Sequence, residues 1–152
     1  MSTTRAPGFT LIELLITVTI LGIIMSLATA GYGQYIRRAN RVDATAALLR
    51  LASAQEKHYS QNGQYADAGD MGNAPPAGLG IAGTERGYYS LDMELAAGGA
   101  AVGFTATATV ADAGPQTDDS DCWTFTINER GLRTAETQEG DTDSEITDRC
   151  WR

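Results

Sequence analysis

Apolar residues follow three rhythms along this chain: nearly unbroken from Phe9 to Ile36, every third or fourth position beyond Tyr35, and alternate positions in stretches after Tyr88. The first rhythm includes 23 residues without a charge, Leu14 to Ile36, enough to cross a bilayer core as a helix. Beyond it, RRANRVDATAALLRLASAQEKHYSQ holds no proline or glycine, and Tyr35, Ala39, Val42, Ala46 and Leu49 recur at helical spacing, so the helix is expected to continue. Asn62-Gly63 supplies its stop. A helix over residues 9–61 would be about 80 Å long, more than a membrane needs, so its second half must pack on something. A second stripe, Ala44, Leu48, Leu51, Gln55 and Tyr59, is suited to cover a sheet, with Arg38, Arg41 and Lys57 facing elsewhere.

The sheet is legible further on. Residues 66–87 hold six glycines and Pro75-Pro76 and read as an irregular surface connection. In Tyr88 to Leu95, Tyr89, Leu91, Met93 and Leu95 alternate with polar residues, the pattern of one buried face. After Gly98-Gly99 a second strand is expected over Val102 to Val110, with Val102, Phe104, Ala106, Ala108 and Val110 inward. A third places Trp123, Phe125 and Ile127 on one side. Asn128-Glu129-Arg130-Gly131 then turns the chain into a short fourth around Leu132 to Thr137. The fold class is α+β, a long N-terminal helix packed on a small antiparallel sheet. The tail, Gln138 to Trp151, is acidic with little periodicity and is expected to be mobile unless pinned.

Length and charge sharpen this picture. At 152 residues one small core is the most the chain can build, which leaves no room for separate cofactor and substrate domains. Residues 1–50 carry five arginines against Glu13 and Asp43, a formal +3, while the remainder carries 17 acids against six bases, a formal −11. That acidity argues against binding to phosphate backbones without a local basic patch. Cys122 and Cys150 have 27 residues between them, whereas metal-binding pairs are spaced by two to four. A disulfide fits better, and in an oxidising compartment it would stabilise the fold by roughly 3.5 kcal/mol; separate free thiols are the alternative.

Candidate chemistry is sparse. His58 is the sole histidine and sits on a helix face beside Lys57 and Tyr59; no nucleophile has a recognisable base, so no catalytic residue and no cofactor is expected. Asp141, Asp143 and Glu145 alternate as calcium ligands do, near Asp118, Asp119 and Asp121, but the glycine of an EF-hand loop is absent, and no metal ligand is assigned. The glycine-rich stretches 78–87 and 98–103 lack the spacing of a phosphate loop.

One residue does not suit a plain anchor. Glu13 stands five residues into the apolar stretch, where an acid costs on the order of 3 kcal/mol at membrane depth. Either it lies at the interface and reaches the headgroups, or it awaits a positive partner in another molecule. Gly8-Phe9-Thr10-Leu11-Ile12-Glu13-Leu14 resembles the cleavage and methylation motif of type IV pilins and type II secretion pseudopilins, and the match continues through Gly22 to Tyr32. Ala54-Gln55-Glu56-Lys57-His58-Tyr59 and Asn62-Gly63-Gln64-Tyr65 resemble, more narrowly, the PilE-type minor pilins.

The resemblance implies a leader peptide over residues 1–8, a membrane and assembly helix over 9–36, and a periplasmic headpiece over 37–152 with the type IV pilin fold. It implies a prepilin peptidase that cuts between Gly8 and Phe9 and methylates Phe9, and it gives Glu13 its partner, the N-terminal ammonium of a neighbouring subunit. The implied partners are other pilin subunits, the inner-membrane assembly machinery and, before assembly, inner-membrane lipid. The implied location is the inner membrane, N-terminus inside, and then an extracellular filament serving assembly, twitching motility and adhesion. A disulfide-bounded C-terminal region, Cys122 to Cys150, also suits the family. A secretion pseudopilin and a pilin specialised for DNA or ligand capture are the alternatives. The chain departs from the pattern at Ala30, where pilins commonly carry proline. Arg37, Arg38 and Arg41 outnumber Arg5 and oppose the implied orientation on the positive-inside rule; the cysteine pair, the acidic distal region and the cytoplasmic action of the leader motif favour it.

Overall fold

The computed structural model describes residues 8–152, with side-chain surroundings for all of these except 27–30. The leader residues 1–7, Arg5 among them, and the side chain of Ala30 lie outside the described residues. The chain divides into two compact units, with the boundary between Ile36 and Arg37.

Helix α1 runs Leu11–Asn62. In the first unit its apolar side chains are exposed, Leu11, Ile12, Leu14, Ile20 and Ile23 among them. Hydroxyls within this stretch turn back on the helix: Thr17 Oγ1 donates to the Leu14 carbonyl and Ser26 Oγ to that of Ile23, both at 2.8 Å. Polar atoms satisfied in this way suit a nonpolar medium. No single helix among the described residues is long and apolar enough to cross a membrane; Leu11–Ser26 and Gly31–Asn62 meet that length and composition only as a pair.

In the second unit the sequence alternation becomes a four-stranded antiparallel sheet in chain order: β1 (Tyr89–Leu95), β2 (Phe104–Val110), β3 (Thr124–Asn128) and β4 (Arg133–Glu136). Tyr89 pairs with Val110, Ala106 with Ile127 and Phe125 with Ala135. This register puts Tyr89, Met93, Phe104, Ala106, Ala108, Val110, Phe125 and Ile127 in one buried cluster with Ala44, Leu48 and Leu51 of α1. Wholly buried leucines such as Leu48 and Leu51 each contribute roughly 1.5–3 kcal/mol. Of the two helical stripes, Ala44–Leu48–Leu51–Gln55 is therefore the one that meets the sheet, though Tyr59 at its end is exposed, while Tyr35, Val42 and Leu49 of the other stripe stay exposed.

Helix α1 ends at Gly63, whose φ of 71° lets its N–H reach the Tyr59 carbonyl at 2.8 Å. The β3–β4 turn closes similarly, with Gly131 at φ 73° and Asn128 Oδ1 accepting from the N–H groups of Arg130 and Leu132. The stretch 66–87 is irregular apart from a short 3-10 turn, Ala68–Asp70. Buried Gln55 secures its start, accepting from Ala66 N–H and donating to the Ala66 carbonyl, both at 2.9 Å.

Three local expectations are corrected. Val102 and Leu132 are exposed, because β2 begins at Phe104 and β4 at Arg133, leaving both residues in turns. Arg41 does not face solvent but is buried, for the electrostatic reason given below. The acidic tail forms a short helix, α2 (Ser144–Cys150), because Asp143 caps it by accepting from the Ile146 N–H at 2.7 Å and Ile146 is buried.

Candidate functional site

The residues singled out at the start of the chain stand in the open. Phe9 is 85% exposed, and a Cβ added at Gly8 would meet nothing within 4 Å, so no described part of the chain shields the bond between them. Glu13 is not idle. Its N–H bonds to Thr10 Oγ1 at 3.3 Å, while its Oε2 accepts from the Thr10 N–H at 3.4 Å and hydroxyl at 3.3 Å. This is a capping box, in which Thr10 and Glu13 satisfy one another's backbone donors at the first turn of α1. A carboxylate there also meets the positive end of the helix dipole. The sequence carries this signal as Thr-x-x-Glu ahead of an apolar run, where the charge of Glu13 in an apolar stretch overshadows it.

In the headpiece, a polar seam joins α1 to the loop between β2 and β3. Arg41 Nε and Nη2 donate to Asp119 Oδ2 and Oδ1, both at 2.7 Å, and neither residue is more than 6% exposed. Burial works against the Arg41 charge, but the bonds to Asp119 outweigh it and raise its pKa. Gln116 completes the seam. Its Oε1 accepts from Asn40 Nδ2 at 3.1 Å, and its Nε2 lies 2.9 Å from the Tyr89 hydroxyl and 3.1 Å from Asp119 Oδ2. Burial pushes the Tyr89 phenol up to about 12. One turn along, the Asp43 carboxylate accepts from the N–H groups of Arg86 and Tyr88, holding the end of the irregular connection against α1.

Cys122, just before β3, and Cys150, in α2, form a disulfide with Cα atoms 5.7 Å apart. The tail is tied further. Trp151 Nε1 donates to the Thr134 carbonyl at 2.8 Å, its ring lies edge-on to Phe125, and the Ala135 N–H donates to Thr147 Oγ1 at 3.2 Å. These bonds occupy the free edge of β4, which would otherwise be open to pairing.

His58 Nδ1 lies 3.0 Å from the Gln64 carbonyl, an interaction local to the end of α1. Among the described residues no group of three or more His, Cys, Asp and Glu is arranged to hold a metal ion, and Asp143 is committed to its cap.

An apolar N-terminal helix with a capped acid at its start, and a headpiece of helix, four-stranded sheet and disulfide-tied tail, define a type IV pilin. The chain belongs to the family described as "Type IV minor pilin ComP, DNA uptake sequence receptor", whose profile matches residues 30–126, and the prokaryotic N-terminal methylation motif matches residues 4–29. Members of this family are structural subunits and not enzymes. The major pilin PilA of Myxococcus xanthus is 33% identical over 126 residues, covering 82% of this chain and 53% of PilA. Fimbrial protein EcpC of Eikenella corrodens is 36% identical over 100 residues, covering 66% of this chain and 61% of EcpC. PilA5 of Thermus thermophilus, the major component of a narrow type IV pilus, is 48% identical over 52 residues, covering 33% of this chain and 45% of PilA5. The chain thus spans about half the length of the curated relatives it matches. Among solved structures, the non-core minor pilin PilV of Neisseria meningitidis aligns at a TM-score of 0.48 and 18% identity, covering 72% of this chain and 96% of PilV.

Proposed function

We propose that this pilin is a minor subunit of a type IV pilus, cut between Gly8 and Phe9 by a prepilin peptidase, methylated at Phe9, and held in the inner membrane with its headpiece in the periplasm until assembly. In the filament Glu13 pairs with the N-terminal ammonium of an adjacent subunit. The observation that carries this reading is the start of α1: an accessible Gly8–Phe9 bond, then a carboxylate held in a capping box, then a helix whose apolar side chains are exposed. Exposed apolar surface on this scale calls for lipid or other helices as its covering. Within the headpiece unit, Val42 and Leu49, spaced by seven on α1, are also exposed. Deleting the gene and examining surface filaments by electron microscopy, alongside a secretion assay, tests the reading. Loss of filaments or of twitching and adhesion with secretion intact supports it; loss of secretion with normal pili places the chain among secretion pseudopilins.

A second reading, a pilin that captures DNA for uptake, draws on the family's description as a DNA uptake sequence receptor. The formal net charge of −8 opposes it, and any contact with DNA would have to use a local cluster of arginines. Transformation frequency in the deletion strain, with filament number as the control, separates the two.

A further inference from the structure

The headpiece contains a cleft of about 720 Å³ lined by Arg38, Arg41, Glu145, Asp148, Arg149 and Arg152. Its charges are unusual in being of both signs and largely unpaired. Arg41 is neutralised by Asp119, and Arg149 stands 4.0 Å from Asp121, the outer limit of an ion pair. Among the described residues Arg38, Arg152, Glu145 and Asp148 form no ion pair. A cleft with free guanidiniums beside free carboxylates is complementary to a ligand that itself carries both signs, and guanidinium in particular matches the geometry of a phosphate.

Position along the chain identifies the source of such a ligand. Arg38 lies two residues beyond Ile36, where the uncharged run ends. Two residues of chain span about 7 Å at most, comparable to the thickness of a bilayer headgroup layer. Whatever the orientation of the headpiece, Arg38 stays at headgroup depth while the apolar helix is in lipid. The matched family region ends at residue 126, before Glu145, Asp148, Arg149 and Arg152, so most of the cleft is not part of the family match.

We propose that this cleft binds the headgroup of a zwitterionic aminophospholipid, the phosphate on Arg38, Arg149 and Arg152 and the primary ammonium on Glu145 and Asp148. Such a contact seats the headpiece on the membrane surface before assembly and is released when the helix leaves the bilayer. It rests on the membrane-held stage of the proposed function.

The test uses the full chain in nanodiscs of equal phosphatidylethanolamine and phosphatidylcholine. Insertion is read first, by resistance to alkaline extraction; bound lipid is then counted by native mass spectrometry after gentle release. Retention of phosphatidylethanolamine over phosphatidylcholine is expected in the wild type; in R149Q/R152Q, which removes two of the three arginines assigned to the phosphate, the total lipid retained should fall by roughly tenfold or more, the loss of a single charge-assisted hydrogen bond being worth about that factor. In E145Q/D148Q the total lipid retained should persist while the preference between the two lipids disappears. Failure of the wild type to insert overturns the membrane reading and this proposal together. Insertion without retained lipid, or equal retention in wild type and R149Q/R152Q, overturns the proposal alone. Release of the lipid by millimolar inorganic phosphate would make the cleft a free-phosphate site, and release by a short DNA duplex a nucleic-acid site; either result overturns it.

Discussion

Arg41 and Asp119, 78 positions apart in sequence, meet through two parallel hydrogen bonds of 2.7 Å inside the headpiece. The pair joins α1 to the loop between β2 and β3. Gln116, itself held by Asn40, donates a further bond to the Asp119 carboxylate. Removing one member leaves the other buried without compensation. Arg41→Met is expected to lower the stability of the headpiece by roughly 3–5 kcal/mol, and Asp119→Leu by a similar amount. The double variant should recover much of the loss, since apolar replacements of both charges leave nothing unpaired. Urea unfolding of the full chain in detergent, followed by tryptophan fluorescence, gives the three midpoints; a cost under about 1 kcal/mol for Arg41→Met would contradict this account of the seam.

Tyr89 makes the same seam sensitive to alkali. Its folded pKa of about 12 lies above the ordinary value of 10.0 because burial disfavours the phenolate, with the nearby Asp119 carboxylate adding to the effect. The folded state therefore holds the proton more tightly than the unfolded chain. Stability from this group is fully present below pH 10 and is lost as pH rises from about 10 to about 12, by about 3 kcal/mol in all. Tyr89→Phe should flatten that part of the stability profile, measured as urea midpoint against pH. An unchanged slope would place the alkaline sensitivity elsewhere.

The Cys122–Cys150 bond closes a loop that includes β3, β4 and most of α2. Cys122→Ala/Cys150→Ala is expected to lose roughly 3.5 kcal/mol. The loss should concentrate in the tail: hydrogen exchange ought to accelerate in α2 and at Ala135 and Trp151, whose bonds hold the tail to β4, and much less in β1 and β2. Uniform acceleration across the sheet would mean that the tail is integral to the core.

What was legible in advance follows from which signals are local. The strands are legible because Tyr88 to Leu95 and Val102 to Val110 alternate, and period two has no other common cause. The end of α1 could be read from Asn62-Gly63. The polar seam could not, since nothing near Arg41 in sequence reveals that Asp119 will lie against it; long-range pairing is a property of the folded chain. Gln55 fell on the buried stripe and was placed correctly, but its double bond to Ala66 depends on the path of the irregular connection. Strand ends were overextended at Val102 and Leu132 because an apolar residue beside a strand continues the pattern even when the turn has already begun. Helix α2 did carry a local signal, Asp143 three residues ahead of Ile146, but seven residues are too few for periodicity to register.

The proposed processing depends on access to the bond after Gly8. A peptidase must approach the backbone there, and glycine presents no side chain in its way. Gly8→Val is expected to leave the leader attached, so that mass spectrometry finds an intact N-terminus ahead of Phe9. Recovery of a cleaved and methylated Phe9 from that variant would remove the proposed processing step.

The cap that Glu13 makes and the pairing proposed for it are separable, and two substitutions pull them apart. Within the subunit its carboxylate closes a capping box with Thr10, which a glutamine side chain also does. Between subunits the proposed pairing with a neighbour's N-terminal ammonium needs the negative charge, which glutamine lacks. Glu13→Gln should therefore insert into the membrane and keep its first helical turn, yet be depleted from sheared filaments, because a buried ammonium left without its partner costs roughly 3–5 kcal/mol. Thr10→Val does the reverse. It removes the hydroxyl that caps the helix, at about 1 kcal/mol, but keeps the charge, so incorporation should survive with faster exchange at the first turn. Filament content by immunoblot, with membrane content as the denominator, reads both. Normal recovery of Glu13→Gln in filaments together with loss of Thr10→Val would show that the cap, and not the charge, is what assembly requires.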